Sequence, residues 1–149
     1  RQIDDLRQTD LFGRGCVADF MFDKDPLFAR LTLDGAELAL YEDIYARLAW
    51  QAPVPDCVIY LHAPVDVLMA RIAHRARAAE RGLAADYLQR VVAAYRDFFA
   101  AFAGARLIRV DAAALDLVAS DNDYAALLEA VHARTPVVRL EAGTGQARL

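Results

Sequence analysis

The densest run of chemistry-bearing side chains is Arg71-Ile-Ala-His-Arg75-Ala-Arg77-Ala-Ala-Glu80-Arg81-Gly82, four arginines within eleven residues. Arg71 and Arg75 are four apart, which puts them on one face of a helix. Arg75 and Arg77 are two apart, and a regular helix would point them to nearly opposite sides. A segment that brings both to one ligand must therefore bend or wrap. Guanidinium forks take phosphate oxygens in pairs and stay charged at any ordinary pH. Closed over a transferring phosphoryl group, such a lid would neutralise charge and exclude water. Charge alone favours the plainer alternative, a solvated basic face. Three further polar groups close or follow short apolar runs: Asp19, His62 and Asp111.

Strands and helices must position these groups. The Gly13-Arg14-Gly15 turn leads into Cys16-Val-Ala-Asp19-Phe20, which reads as a buried strand with a carboxylate near its end. Asp34-Gly-Ala-Glu37 has the form of a capping box, and Leu38, Tyr41, Ile44, Tyr45 and Leu48 recur at helical spacing behind it. An amphipathic helix is expected over about 35–50, stopped by Pro53 and Pro55. Cys57–Leu61 is a second strand, followed by a helix with Pro64 in its first turn. A long helix over 84–103 carries Tyr87, Val91, Tyr95, Phe98, Phe99 and Phe102, and Gly104 ends it. Leu107–Val110 is a third strand, and Asp121 caps a last helix containing Tyr124, Leu127, Leu128 and Val131. One domain over 1–134 is expected, with 135–149 a mobile tail. Alternating strands and helices imply an α/β fold, a parallel sheet covered on both faces. Ligands bind such sheets outside the carboxyl ends of the strands, where Asp19, His62 and Asp111 fall.

The bulk properties exclude several classes. With 149 residues, 57% of them hydrophobic and 26% charged, the chain can build a core and is not disordered. A net charge of −4 gives no basic field for a nucleic acid polymer. No apolar run approaches a membrane span. Cys16 and Cys57 read as reduced core residues of a cytosolic protein, and His62, His74 and His132 lack metal-ligand spacing.

Several blocks, in order, resemble the deoxynucleoside kinase family: Val17-Ala-Asp19-Phe20, Asp25-Pro-Leu-Phe-Ala29, Leu40-Tyr-Glu-Asp-Ile-Tyr45, Pro55–Leu61, the arginine segment through Glu80 with Tyr87-Leu88, and Asp116 through Leu128. The likeness runs from Gln2 to about Val131 and is nearest the bacterial branch acting on purine or several deoxynucleosides. It reverses the reading of the arginine run, which then resembles the family's lid. The resemblance implies a P-loop-kinase-like three-layer fold, a cytoplasmic salvage enzyme, ATP as phosphoryl donor with Mg2+ and a deoxynucleoside substrate. A homodimer is expected from the helix over about 36–49, which carries apolar groups on more than one side, Leu38, Leu40, Tyr41, Ile44 and Tyr45 among them. By the same resemblance Arg71, Arg75 and Arg77 would meet the ATP phosphates, and Arg75 and Arg77 would act in catalysis. Glu80 would accept from the sugar 3′-hydroxyl. Asp25 would read the base edge. The turn from Asp111 to Asp116 would pack on adenine. Asp19 matches the acid of the family's Asp/Glu-Arg-Ser motif, a catalytic position near magnesium, but Phe20 and Met21 replace the Arg and Ser.

The family's Gly-x-x-x-x-Gly-Lys-Ser/Thr loop is absent from this sequence, whose one lysine is Lys24. The carboxylate after the second strand, and the glutamine and arginine that grip the base and the 5′ end, have no counterparts either. Arg1 rather than Met opens the sequence, so a piece of a longer kinase lacking strands 1 and 2 is expected. The strands at 16–20 and 57–61 should then stay apart or pair irregularly. Two alternatives remain: a thymidylate-kinase-like nucleotide kinase, and a non-catalytic binding or dimerisation module.

Overall fold

The structure, a computed structural model, describes residues 16–49, 53–75, 82–133 and 137–141. It divides into two units, Arg1–Val54 and Pro55–Leu149.

In the first unit a 3-10 turn at Phe22–Lys24 leads into helix α1, Asp25–Thr32, and then helix α2, Gly35–Leu48. Pro26 sits in the first turn of α1, where its missing N–H costs nothing, beside the acidic Asp25. Gly35 has φ +43°, a left-handed conformation that turns the chain between the helices and that a side chain would strain. The expected capping box does not form. The Asp34 carboxylate makes no cap hydrogen bond. The Glu37 amide that it would have capped donates instead to the Asp34 carbonyl, at 3.0 Å. Helix α1 packs on α2.

Residues 16–20 are a correction. They form no strand and lie outside the sheet, and Cys16–Asp19 are exposed. An extended segment is stabilised only when neighbours pair its N–H and C=O groups, and none of the described residues pairs with this one. Cys16 is accordingly an exposed thiol and not a core residue.

The second unit is an α/β unit. Strands β1 (Cys57–His62), β2 (Arg106–Asp111) and β3 (Val137–Leu140) form a parallel sheet in the order β1-β2-β3. The register aligns Ile59 with Ile108 and His62 with Asp111. Helices α3 (Val65–Arg75) and α4 (Ala85–Ala101) lie between β1 and β2, and α5 (Asp121–His132) lies between β2 and β3. Strand β3 corrects the tail reading for residues 137–140. Its four residues show too little periodicity to stand out, and pairing with β2 makes them a strand. Val138 and Leu140 then join Ile108, Val110 and Ala130 in the core, with Leu127 and Val131 of α5 packed against it. On the opposite face Tyr60 stacks on Phe99 of α4, with ring centroids 4.2 Å apart. Both faces are thus covered by helices, as the alternation of elements predicts. Helix α5 is capped by Ser120, one residue before the expected Asp121, and its hydroxyl accepts from the Asp123 amide at 3.2 Å.

Candidate functional site

In the second unit β1 and β2 end side by side at His62 and Asp111. The Ala112 amide donates to the His62 carbonyl at 2.8 Å and carries the pairing one residue further. Asp111 then folds the chain back on itself. Its carboxylate accepts from the Ala113 amide at 2.9 Å, and its carbonyl accepts from the amides of Ala114 and Leu115. Asp116 closes the same loop. Its Oδ1 accepts from the amides of Val118 (3.0 Å) and Ala119 (2.9 Å), while its own amide donates to Asp123 Oδ2 at 2.8 Å. The Ala119 and Val118 amides hold the Asp116 carboxyl below its ordinary range, with desolvation opposing them and the positive charge of Arg71 adding to them. Both acids therefore shape the loop over 112–120 through its backbone.

Arg71 reaches this loop from α3, and its Nη2 donates to the Ala112 carbonyl at 2.6 Å. The bond spans forty-one residues of sequence and sets an exposed guanidinium at the carboxyl end of the sheet. Helix α3 packs against α4. Arg75 is the last residue of α3, one turn beyond Arg71, and is exposed. Arg77 and Glu80 lie outside the described residues.

In the first unit Asp25 opens α1, and its Oδ2 accepts from the Tyr41 hydroxyl of α2 at 3.1 Å. Burial, then the hydrogen bond to Asp25, push the Tyr41 phenol well above its ordinary pKa. Tyr45, also raised, first by burial and then by Asp23 and Asp25, stacks on Phe22 with centroids 4.8 Å apart and planes 8° apart. Asp19 is exposed, and its backbone carbonyl accepts from Lys24 Nζ at 3.0 Å. The strand end expected to present its carboxylate does not form. Among the described residues no group of three or more His, Cys, Asp or Glu is arranged to hold a metal ion.

Sequence reasoning missed the Tyr41–Asp25 pair and placed Tyr41 only on the apolar face of its helix. The available signal was the phenol itself, because a tyrosine on a packed face needs a partner for its hydroxyl. It also missed Arg106. That side chain donates to the Ala130 carbonyl (3.0 Å), the Val131 carbonyl (2.5 Å) and Cys57 Sγ (3.2 Å), and so serves the last carbonyls of α5.

The sequence profile described as deoxynucleoside kinase matches residues 2–135. The deoxyguanosine kinase of Bacillus subtilis (strain 168) is 28% identical over 116 residues, which cover 75% of this chain and 56% of that protein. The chain thus spans little more than half the length of that curated relative. A profile match over nearly the whole chain, on a parallel sheet with an arginine-bearing helix reaching its carboxyl end, places this chain in the deoxynucleoside kinase family.

Proposed function

We propose that this chain carries the nucleoside-reading and lid portions of a cytoplasmic kinase that moves the γ-phosphoryl group of ATP to the 5′-hydroxyl of a deoxynucleoside. The phosphate-binding loop would come from residues outside this sequence. The observation that carries the reading is Arg71, tied to the Ala112 carbonyl at the carboxyl end of the sheet, where ligands of parallel α/β folds bind. The loop shaped by Asp111 and Asp116 offers its backbone there for the adenine of ATP. Arg71, Arg75 and Arg77 would neutralise the phosphates, Arg75 and Arg77 in the transition state. Glu80 would accept from the 3′-hydroxyl, and Asp25 would accept from a donor on the base edge. Magnesium would arrive with the ATP phosphates, with Asp19 the one carboxylate assigned near it. In the transfer the 5′-hydroxyl oxygen bonds to the γ-phosphorus and gives its proton to a carboxylate base that would also come from residues outside this sequence, as the bond to the bridging oxygen breaks and ADP leaves; arginine charge stabilises that change.

The test is steady-state phosphorylation of deoxyadenosine and deoxyguanosine by the kinase containing this chain. Arg75→Ala and Arg77→Ala should each lower turnover roughly 10²–10³-fold, the usual loss when a transition-state charge contact is removed. Glu80→Gln should weaken 2′-deoxynucleosides by about 1.5–3 kcal/mol, the worth of a charge-assisted hydrogen bond, and leave 2′,3′-dideoxynucleosides nearly unaffected. Unchanged turnover in both arginine variants overturns the lid, and equal losses for the two sugars overturn the role of Glu80.

A further inference from the structure

The Tyr41–Asp25 pair belongs to neither the lid nor the loop at the sheet end. It joins the first residue of α1 to the second turn of α2 through a single hydrogen bond of 3.1 Å. The bond engages Oδ2 of Asp25. A carboxylate has two oxygens and about four acceptor positions, so the phenol leaves most of its accepting capacity for something else. The phenol is locked in the donor role, because burial and the neighbouring Asp25 both oppose its ionisation. Its ring is braced as well. Tyr41 and Tyr45 lie one helical turn apart with centroids at 5.9 Å, and Tyr45 stacks on Phe22, three residues before Asp25. The turn that presents Asp25 is therefore tied to α2 twice, by the aromatic stack and by the phenol.

We propose that Tyr41 is a positioning residue for base recognition, its hydroxyl orienting the Asp25 carboxylate so that Oδ1 accepts from an amino or imino donor on the nucleobase. This rests on the reading of Asp25 given under Proposed function. A carboxylate on one single bond turns about χ2, a broad torsion. Fixing one oxygen removes that freedom before the substrate arrives, so the base meets a preset acceptor. The effect falls on base discrimination and not on the transfer step, which takes place at the sugar 5′ end.

The experiment compares the kinase containing this chain with its Tyr41→Phe and Asp25→Asn variants. The substrates are deoxyadenosine, deoxyguanosine and purine 2′-deoxyriboside, which has neither an amino group nor an N1 proton. Tyr41→Phe keeps the ring beside Tyr45 and removes only the donor. It should raise KM for the preferred amino-bearing nucleoside about 3–10-fold, the worth of one ordinary hydrogen bond, with kcat and the KM for purine 2′-deoxyriboside unchanged. Asp25→Asn should abolish the preference for amino-bearing bases. A Tyr41→Phe variant whose KM rises equally for all three substrates, with a lowered Tm, makes Tyr41 a helix tie and overturns the proposal. Preference lost in Asp25→Asn but kept intact in Tyr41→Phe overturns the role of Tyr41 alone. Preference kept in Asp25→Asn overturns the Asp25 reading and the Tyr41 role with it.

Discussion

The acids of this chain divide by what their oxygens already accept. Asp111 and Asp116 spend theirs on backbone amides of their own loop and so fix its shape. Asp25 shares one oxygen with a phenol. The depressed pKa of Asp116 has a consequence for pH. A carboxyl held below its unfolded value stabilises the folded loop fully above about pH 3.9 and loses that contribution as pH falls through the lower folded value. Protection of the Val118 and Ala119 amides, their exchange rates taken relative to the intrinsic rate at each pH, should therefore hold at neutral pH and fall only in strong acid. Asp116→Asn, which loses the charge, should show reduced protection at both amides across the whole range. Equal protection in the two proteins would remove Asp116 from the role of loop clasp.

Helix α5 depends on a residue far from it in sequence. Arg106, on β2, donates to the Ala130 and Val131 carbonyls and to Cys57 Sγ on β1, and so ties both strands to the helix end. The last carbonyls of a helix have no partner within it, and a cation there also meets the negative end of the dipole. Arg106→Met keeps the aliphatic stem and removes the donors, so urea unfolding should show a loss of about 1.5–3 kcal/mol, the range for hydrogen bonds to a charged group. Helix α2 poses the opposite problem. Leu40, Ile44 and Leu48 repeat every four residues and are 63%, 49% and 40% exposed, a stripe distinct from the face of Tyr41 and Tyr45. An amphipathic helix ordinarily turns such a stripe toward a partner.

For the whole molecule we propose that this stripe meets the same stripe of a second copy around a two-fold axis. Sedimentation of the kinase at micromolar concentration should give a dimer, and Leu40→Glu with Ile44→Glu a monomer. A wild-type monomer would rule the dimer out. The sheet carries its own unmet need. Among the described residues strand β1 pairs only with β2, and Ile59 and Leu61, which share the core face with Ile108 and Val110, are 41% and 54% exposed. Cys57-Val-Ile-Tyr-Leu61 has the composition of an interior strand yet occupies an edge of this sheet. The resemblance to deoxynucleoside kinases implies that this edge would pair with the strand delivering the phosphate-binding loop. Residues 1–149 expressed alone should therefore bind ATP weakly, transfer no phosphoryl group and aggregate more readily than a chain extended upstream. Comparable deoxyadenosine phosphorylation by both would mean the phosphate site is built from residues already present.

Local pattern sufficed for the long helices and for the two strands flanked by turn signals. Tyr95, Phe98 and Phe99 mark α4 by spacing, and residues 57–61 and 107–110 are short, largely apolar runs of strand length that follow Pro55 and Gly104. The order of the family blocks was legible too, because it depends on residue type and sequence position. Three things were decided only in three dimensions. Residues 16–20 have strand-like composition but no strand beside them, and residues 137–140 lack strand periodicity but have one. A strand is a property of two segments, since its hydrogen bonds are made to another part of the chain. The bonds Tyr41–Asp25, Arg71–Ala112 and Arg106–Val131 span sixteen, forty-one and twenty-five residues. Only the packed fold sets such distances, and helical or strand periodicity carries no trace of them.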